Sequence, residues 1–242
     1  MSSNNKEYYG KGIPYLNTED IEGKFIVIEG TDGVGRSTQI AQIKKWLEFK
    51  GYGVYTTGLA RSPLIGKLIE AAKKGHTLNV NTYSLLYLAD FADRLEHEII
   101  PALRSGFIVL ADRYIYSSFV RAIVRGADKE WMKNIYSIAL KPDLVIYLKI
   151  GIKDLIPRVI NSINLSSNYW GAGSGEGMDY WESGMDLKLG NDFYDSFVKY
   201  QRRMLVEFDK ISAENNFVTI DASSTSYKIE NNIKEEIRKI LT

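Results

Sequence analysis

Cysteine is absent from the chain, and histidine occurs only at His76 and His97. Without cysteine there is no disulfide, no thiolate nucleophile and no Cys-ligated zinc. Two histidines are too few for a His-rich metal site. Positive charge is not in excess either: 31 Lys and Arg stand against 30 Asp and Glu, a formal net charge of +1. A protein that binds nucleic acid regardless of sequence needs a basic surplus to displace counterions, so no nucleic-acid partner is expected. No apolar run reaches the roughly 18 residues that span a bilayer, and no membrane association is expected. The opening residues, MSSNNKEYYGKG, lack the apolar core of a secretory signal. The expectation is a soluble, cytoplasmic protein whose chemistry uses neither thiol nor zinc.

What is present has ordinary globular composition, 45% hydrophobic and 25% charged over 242 residues. Residues 1–22 are polar and punctuated by glycine, and read as an N-terminal tail. Residues 23–242 read as one domain. Phe25-Ile26-Val27-Ile28-Glu29 is apolar and β-branched without alternation, the pattern of a strand buried on both faces. Helical spacing follows over 37–49 (Ile40, Ile43, Trp46, Leu47) and stops at Gly51. Strands are expected at 54–57, 107–111, 144–150 and 217–220, with helices over 63–74, 81–104, 113–140 (two) and 229–241. Strands separated by helices define an α/β fold: a three-layer sandwich with a five-stranded parallel sheet and helices on both faces. Residues 164–190 are rich in Gly and Ser yet carry Trp170, Tyr180 and Trp181. A loop of that length with large aromatics reads as a lid.

Gly30-Thr31-Asp32-Gly33-Val34-Gly35-Arg36-Ser37 joins the first strand to the first helix. In that context a G-x-x-x-x-G-K-[ST] match is a phosphate loop, whose backbone N–H groups converge on phosphate oxygens while the helix N-terminus adds positive potential. Ser37 is then the Mg²⁺-binding hydroxyl. Arg36 stands where the motif has Lys, and its planar fork is not interchangeable with a compact ammonium.

Three stretches in order resemble the thymidylate kinase family of P-loop nucleoside monophosphate kinases: FIVIEGTDGVGRSTQ (25–39), LLYLADFADRLEHEIIPAL (85–103) and LADRYIYS (110–117). Pro142-Asp143-Leu144 is similar to the entry to that family's next strand. The resemblance spans about 25–160 and implies the P-loop NTPase fold with a lid, a homodimer, and transfer of the γ-phosphoryl of Mg-ATP to dTMP. A phosphomonoester with a second pKa near about 6 is largely dianionic at neutral pH, so such an acceptor needs no general base.

Residue by residue, the resemblance implies that Gly30 to Thr38, with Arg36 on the β/γ oxygens, hold ATP. Asp32 would approach the acceptor sugar. Asp112, at a strand's C-terminal end, would organise Mg²⁺ together with Ser37, and Arg113 would bind the acceptor phosphate or the phosphoryl in flight. Tyr87 stands where the family stacks an aromatic on the base. Phe91 replaces the base-reading Arg, with Arg94 one turn on but facing an i,i+4 partner in Asp90; Tyr83, Tyr87 and Phe91 also read as a core stripe. Arg121 and Ala122 stand where the family carries an aromatic that helps exclude ribose, often followed by Gln. Arg121 and Arg125 share a helix face that is either phosphate-binding or solvated. Arg61 is the nearest substitute for an Arg after the second strand. Residues 164–191 contain no Arg, only Lys188, so Arg158 is the candidate cation from the lid's side, and Arg36 is expected to supply transition-state charge. Two readings stay open beside dTMP phosphorylation. One is a same-fold kinase for another monophosphate or for a deoxynucleoside, the latter with Glu29 as base. The other is an inactive nucleotide-binding protein.

Overall fold

The computed structural model describes residues 6–241 except 17, 19, 76, 77 and 166–179. Strands β1 (Phe25–Glu29), β2 (Val54–Gly58), β3 (Ile108–Asp112), β4 (Leu144–Lys149) and β5 (Val218–Asp221) form one parallel sheet in the order β2-β3-β1-β4-β5. Each strand expected from the sequence is present, displaced by a residue at most ends. The non-alternating apolar runs have the reason proposed for them. Along β1, Phe25 and Val27 point into one core while Ile26 and Ile28 point into the other, and all four are fully buried. β3 divides in the same way, with Val109 and Ala111 opposite Ile108 and Leu110.

Helices α1 (Arg36–Phe49), α7 (Ile152–Leu165) and α9 (Ser226–Leu241) cover one face. Their Ile40, Ile43, Leu47, Leu155, Val159, Ile229, Ile233 and Ile237 close that core. The other face is covered by α3 (Val80–Arg94), α4 (Ile100–Arg104), α5 (Ile115–Val124), α6 (Lys129–Ile135) and α8 (Phe193–Glu214). The long α8 was not anticipated from the sequence. Helix α2 (Ile65–Gly75) packs on α3 beyond the sheet edge, with a small core of Ile69, Tyr83 and Tyr87. The helix expected over 81–104 is α3 and α4 joined by a π-turn at Leu95–Ile99, which keeps Leu95, Ile99, Ile100 and Leu103 all buried.

The described residues ahead of β1 are tied to the body of the domain. Lys141 N donates to Glu7 O at 2.7 Å, Tyr9 N to Ala139 O at 2.8 Å and Gly10 N to Ser137 O at 2.9 Å. Lys6 pairs with Asp143, whose carboxylate also accepts Phe25 N at 2.6 Å. Ile13 and Ile21 enter the core.

Candidate active site

The site lies at the C-terminal ends of β1, β3 and β2, where open α/β sheets bind ligands. Its first component is the turn from β1 into α1. Gly33 (φ 78°) and Gly35 (φ 101°) hold the left-handed backbone that lets the chain reverse tightly, and a Cβ on Gly33 would meet Val159 at 2.5 Å. Three other helix starts are capped by the side chain of their own N-cap residue: Asn79 accepts Thr82 N on α3, Asp128 accepts Trp131 N on α6 and Asp192 accepts Asp195 N on α8. α1 begins at Gly35 with no side-chain cap and no acid in its first turn. Its first N–H groups and its dipole are left to a ligand, and an anion is what they suit.

Arg36 behaves differently from the Lys it replaces. Its guanidinium turns back beneath the loop and donates from Nη1 to the carbonyls of Gly30 (2.6 Å) and Thr31, and from Nε to Asp112 Oδ1 at 2.8 Å. Nη2 lies 3.7 Å from Asp32. The placement on β/γ oxygens that the resemblance implies is therefore revised: a planar fork satisfies loop carbonyls and a carboxylate together, which an ammonium does not. Burial and then Arg113 pull the Arg36 pKa below its ordinary value, against Asp32 and Asp112.

Asp112 is the meeting point. Besides Arg36 it accepts Ser37 Oγ at 3.2 Å and lies 3.7 Å from the half-exposed Arg61. Burial pushes its carboxyl up, but Arg36, Arg113 and Arg61 together hold it below the usual value. Ser37 and Asp112 present a hydroxyl and a carboxylate side by side, the hard oxygen donors Mg²⁺ prefers. Among the described residues no three acidic, Cys or His side chains cluster as a closed cation cage. Mg²⁺ characteristically keeps several waters and substrate oxygens, so this pair fits it.

Across the loop, Asp32 is ion-paired with both Arg113 and Arg121, the latter at 3.4 Å. Burial acts to raise its pKa; Arg113, Arg121, Arg36 and Lys73 hold it far below the usual carboxylate range. Arg113 has φ 73°, a conformation costing a non-Gly residue of order 1 kcal/mol, and it is held by Ser117 Oγ at 3.1 Å. Ser117 is in turn fixed by Glu29, which accepts Ser117 Oγ (2.6 Å), Ser117 N (3.2 Å) and Tyr114 N (2.8 Å). Glu29 is fully buried, and burial lifts its pKa despite Ser117 and Arg113. It orients Arg113 through Ser117, and with no exposure it is badly placed to deprotonate a substrate hydroxyl. That weighs against the deoxynucleoside reading.

On the acceptor side the expectations separate. Phe91 is fully buried, packed on Tyr114 and Tyr136, so its place among substrate contacts is withdrawn in favour of the core stripe. Arg94 is tied down: Nε and Nη2 donate to Asp90 Oδ2 at 3.0 and 2.8 Å, and Nη1 to Thr57 at 3.2 Å. Asp90 also accepts the backbone N–H of Ala60 and Ser62, so this pair braces the loop after β2 and leaves Arg94 2% exposed. Its substrate role is withdrawn on the same ground. Tyr87 and Arg121 do line a pocket, together with Val80, Tyr83, Ser84, Ser118, Ala122 and Trp181. Arg158 reaches the phosphate loop, donating to Val34 O at 3.4 Å.

The lid region is described in its second half; Trp170 and residues 166–179 lie outside the described residues, as does His76. Glu182 pairs with Arg121 at 2.8 Å and with Lys73 on α2, partners that overcome the upward push of burial and lower its pKa. Arg125 is buried, not solvated: it binds Asp186 at 2.8 Å and donates to Tyr200 Oη at 2.8 Å, with its guanidinium 3.7 Å from the Trp181 ring. Lys73, Glu182 and Asp186 had no local signal, because the spacing that joins them exists only in the fold.

A phosphate loop opening an uncapped helix, a serine and an aspartate fit for Mg²⁺, and facing guanidiniums define a phosphotransferase of the P-loop class. Residues 28–163 match the family model described as thymidylate kinase, and the chain belongs to that family. Among curated proteins, it is 34% identical over 222 residues to one from Saccharolobus solfataricus named probable thymidylate kinase 2, covering 91% of this chain and 96% of the relative. It is 38% identical over 146 residues to a probable thymidylate kinase of Thermococcus gammatolerans, covering 57% and 70% respectively. With the thymidylate kinase of Caldicellulosiruptor saccharolyticus it shares 39% identity over 148 residues, again 57% and 70%.

Proposed function

We propose that the chain transfers the γ-phosphoryl of Mg-ATP to dTMP, giving dTDP and ADP. The observation that carries this reading is Asp32: a phosphate-loop residue ion-paired to Arg113 and Arg121, so that the donor cradle and the acceptor-side cations share one contact. Two anionic phosphates must approach in line, and neutralising the charge between them is most of the catalytic task. The loop N–H groups and the start of α1 hold the donor phosphates, with Arg158 at their side. Arg113, oriented by Ser117 and Glu29, meets the acceptor phosphate, whose dianion needs no base. Arg36 fixes the loop to Asp112. Ser37 and Asp112 would hold Mg²⁺, which when bound neutralises charge on the donor oxygens. The lid turn closes over the acceptor and excludes water. No helix among the described residues is long and apolar enough to cross a membrane. A cytoplasmic location and a homodimer complete the reading, the latter tested by light scattering.

The direct experiment is ADP release from Mg-ATP with each common ribo- and deoxyribonucleoside monophosphate in parallel. dTMP is expected to be the preferred acceptor. Preference for another monophosphate would keep the mechanism and replace the substrate, and ATP binding without turnover on any acceptor would leave a nucleotide-binding protein.

A further inference from the structure

Two buried N–H donors of residues lining the acceptor pocket have no hydrogen-bond partner among the described residues. Arg121 is 93% buried by its 7% exposure, and three of its contacts are made by the terminal nitrogens: Nη1 to Tyr87 Oη at 3.3 Å, Nη2 to Asp32 at 3.4 Å and to Glu182 at 2.8 Å. Its Nε has no hydrogen-bond partner among the described residues, and neither has the buried indole Nε1 of Trp181. Both side chains line the same pocket. A buried donor left unpaired is costly, and native structures rarely leave two at one place without a ligand or an ordered water to meet them. The Trp181 ring is also pinned. Tyr83 lies 4.1 Å from its centroid at a 32° tilt and the Arg125 guanidinium 3.7 Å from it, so the ring is packed by two neighbours.

Resting on the dTMP kinase reading, we infer that Arg121 Nε and Trp181 Nε1 read the base of the acceptor, donating to the two carbonyl oxygens of a 2,4-dioxopyrimidine. The chemistry matches the vacancy left by Phe91 and Arg94, neither of which can reach a base. Two donors select a base edge of acceptors. Cytosine presents an amino group in place of one carbonyl, so a donor would face a donor and the site would reject it. Val80 and Ala122 supply apolar wall to the same pocket. The lid turn would thereby select the base as well as close the site.

The test compares wild-type chain with Trp181→Phe, which keeps a stacking ring and removes the N–H, in kcat/KM for dTMP, dUMP and dCMP. The expected result is a loss of about 10- to 100-fold for dTMP and dUMP with dCMP changed less than about 3-fold, so that discrimination collapses. If wild type prefers dTMP and folded Trp181→Phe keeps the same dTMP/dCMP ratio, the inference fails while the kinase reading stands. If wild type prefers a base without two carbonyls, the inference and the dTMP assignment fail together while the phosphotransfer mechanism stands. Should Trp181→Phe not fold, wild type is assayed with dTMP analogues in which one base carbonyl oxygen is replaced by hydrogen. Loss of about 10-fold or more for each supports the inference, and undiminished turnover overturns it.

Discussion

On the donor side, Gly30 to Ser37 form one continuous turn between β1 and α1, and nearly every group that would hold ATP comes from those residues. On the acceptor side, Arg121 comes from α5, Tyr87 from α3, Lys73 from α2, and Trp181 and Glu182 from the lid turn. A contiguous turn is fixed by local backbone geometry, so its residues are interchangeable only at the cost of the turn itself. A site gathered from four elements can trade one contributor for another, provided that the new one reaches the same space. Phe91 at the base-reading position illustrates the trade: the charge has moved off α3, and α5 and the lid carry cations and donors instead.

Four tests would break or sharpen that contrast. Asp112→Ala should do most, because it removes the acceptor for Arg36 and Ser37 at once and strands a buried guanidinium; a fall in kcat of about 10³-fold is expected. Steady-state rates beside a thermal melt would check it, and a loss under about 10-fold would remove Asp112 from the centre of the donor side. Next, Phe91→Arg, which restores the family's residue, should destabilise by several kcal/mol, since it buries a charge among Tyr114 and Tyr136. Phe91→Leu should cost about 1.5 kcal/mol or less in urea unfolding and leave the KM for dTMP unchanged; a clear KM rise would return Phe91 to the substrate.

Arg36→Lys comes third. A lysine cannot serve the Gly30 and Thr31 carbonyls and Asp112 with the same fork, so turnover should drop about 10-fold. An unchanged or faster rate would sink the idea that the Arg does work here that the usual Lys cannot. The smallest effect is on pH. Asp32, Asp112 and Glu182 are more acidic folded than unfolded. Their pairings therefore contribute stability present above the ordinary carboxylate range and lost as pH falls through their folded pKa values. Glu29 runs the other way: its folded pKa is raised, so its contribution is full below the ordinary Glu value and fades as pH rises through the folded one. Urea midpoints between pH 6 and 3 should fall in acid, and Asp112→Asn should flatten that fall.

Legibility followed the same divide. The five strands could be read because each is buried on both faces, which leaves unbroken apolar runs such as Phe25–Ile28, and the phosphate loop because glycine spacing is itself the mechanism. Asp112, Arg113 and Arg121 stand out in the sequence from their place after a strand or on a helix face, and the fold brings them together around the phosphate loop. For Phe91 the sequence leaves a substrate contact and a core stripe both open, and burial decides for the core. For Arg94 the i,i+4 spacing names Asp90 without saying whether the pair is used up, and Asp90, bonded also to two backbone N–H groups, consumes it. Lys73 and Glu182 give no local signal and residues 6–16 read only as a tail, since the partners lie 109 residues away for Lys73 and 137 for Lys6. Only folding brings such pairs together.

The π-turn at Leu95–Ile99 has a consequence for how this chain can change length. Such a turn is an α-helix carrying one residue too many, absorbed as a single wider loop of backbone. Removing one residue there would let the segment relax to ordinary α-helix with Phe91 upstream and Leu103 downstream still facing the sheet. Most helix interiors punish a deletion by rotating everything beyond it about 100° out of phase. This one holds a spare residue, so the boundary between α3, which lines the acceptor pocket, and α4, which supports β3, is a place where a single deletion can be absorbed without turning either out of phase.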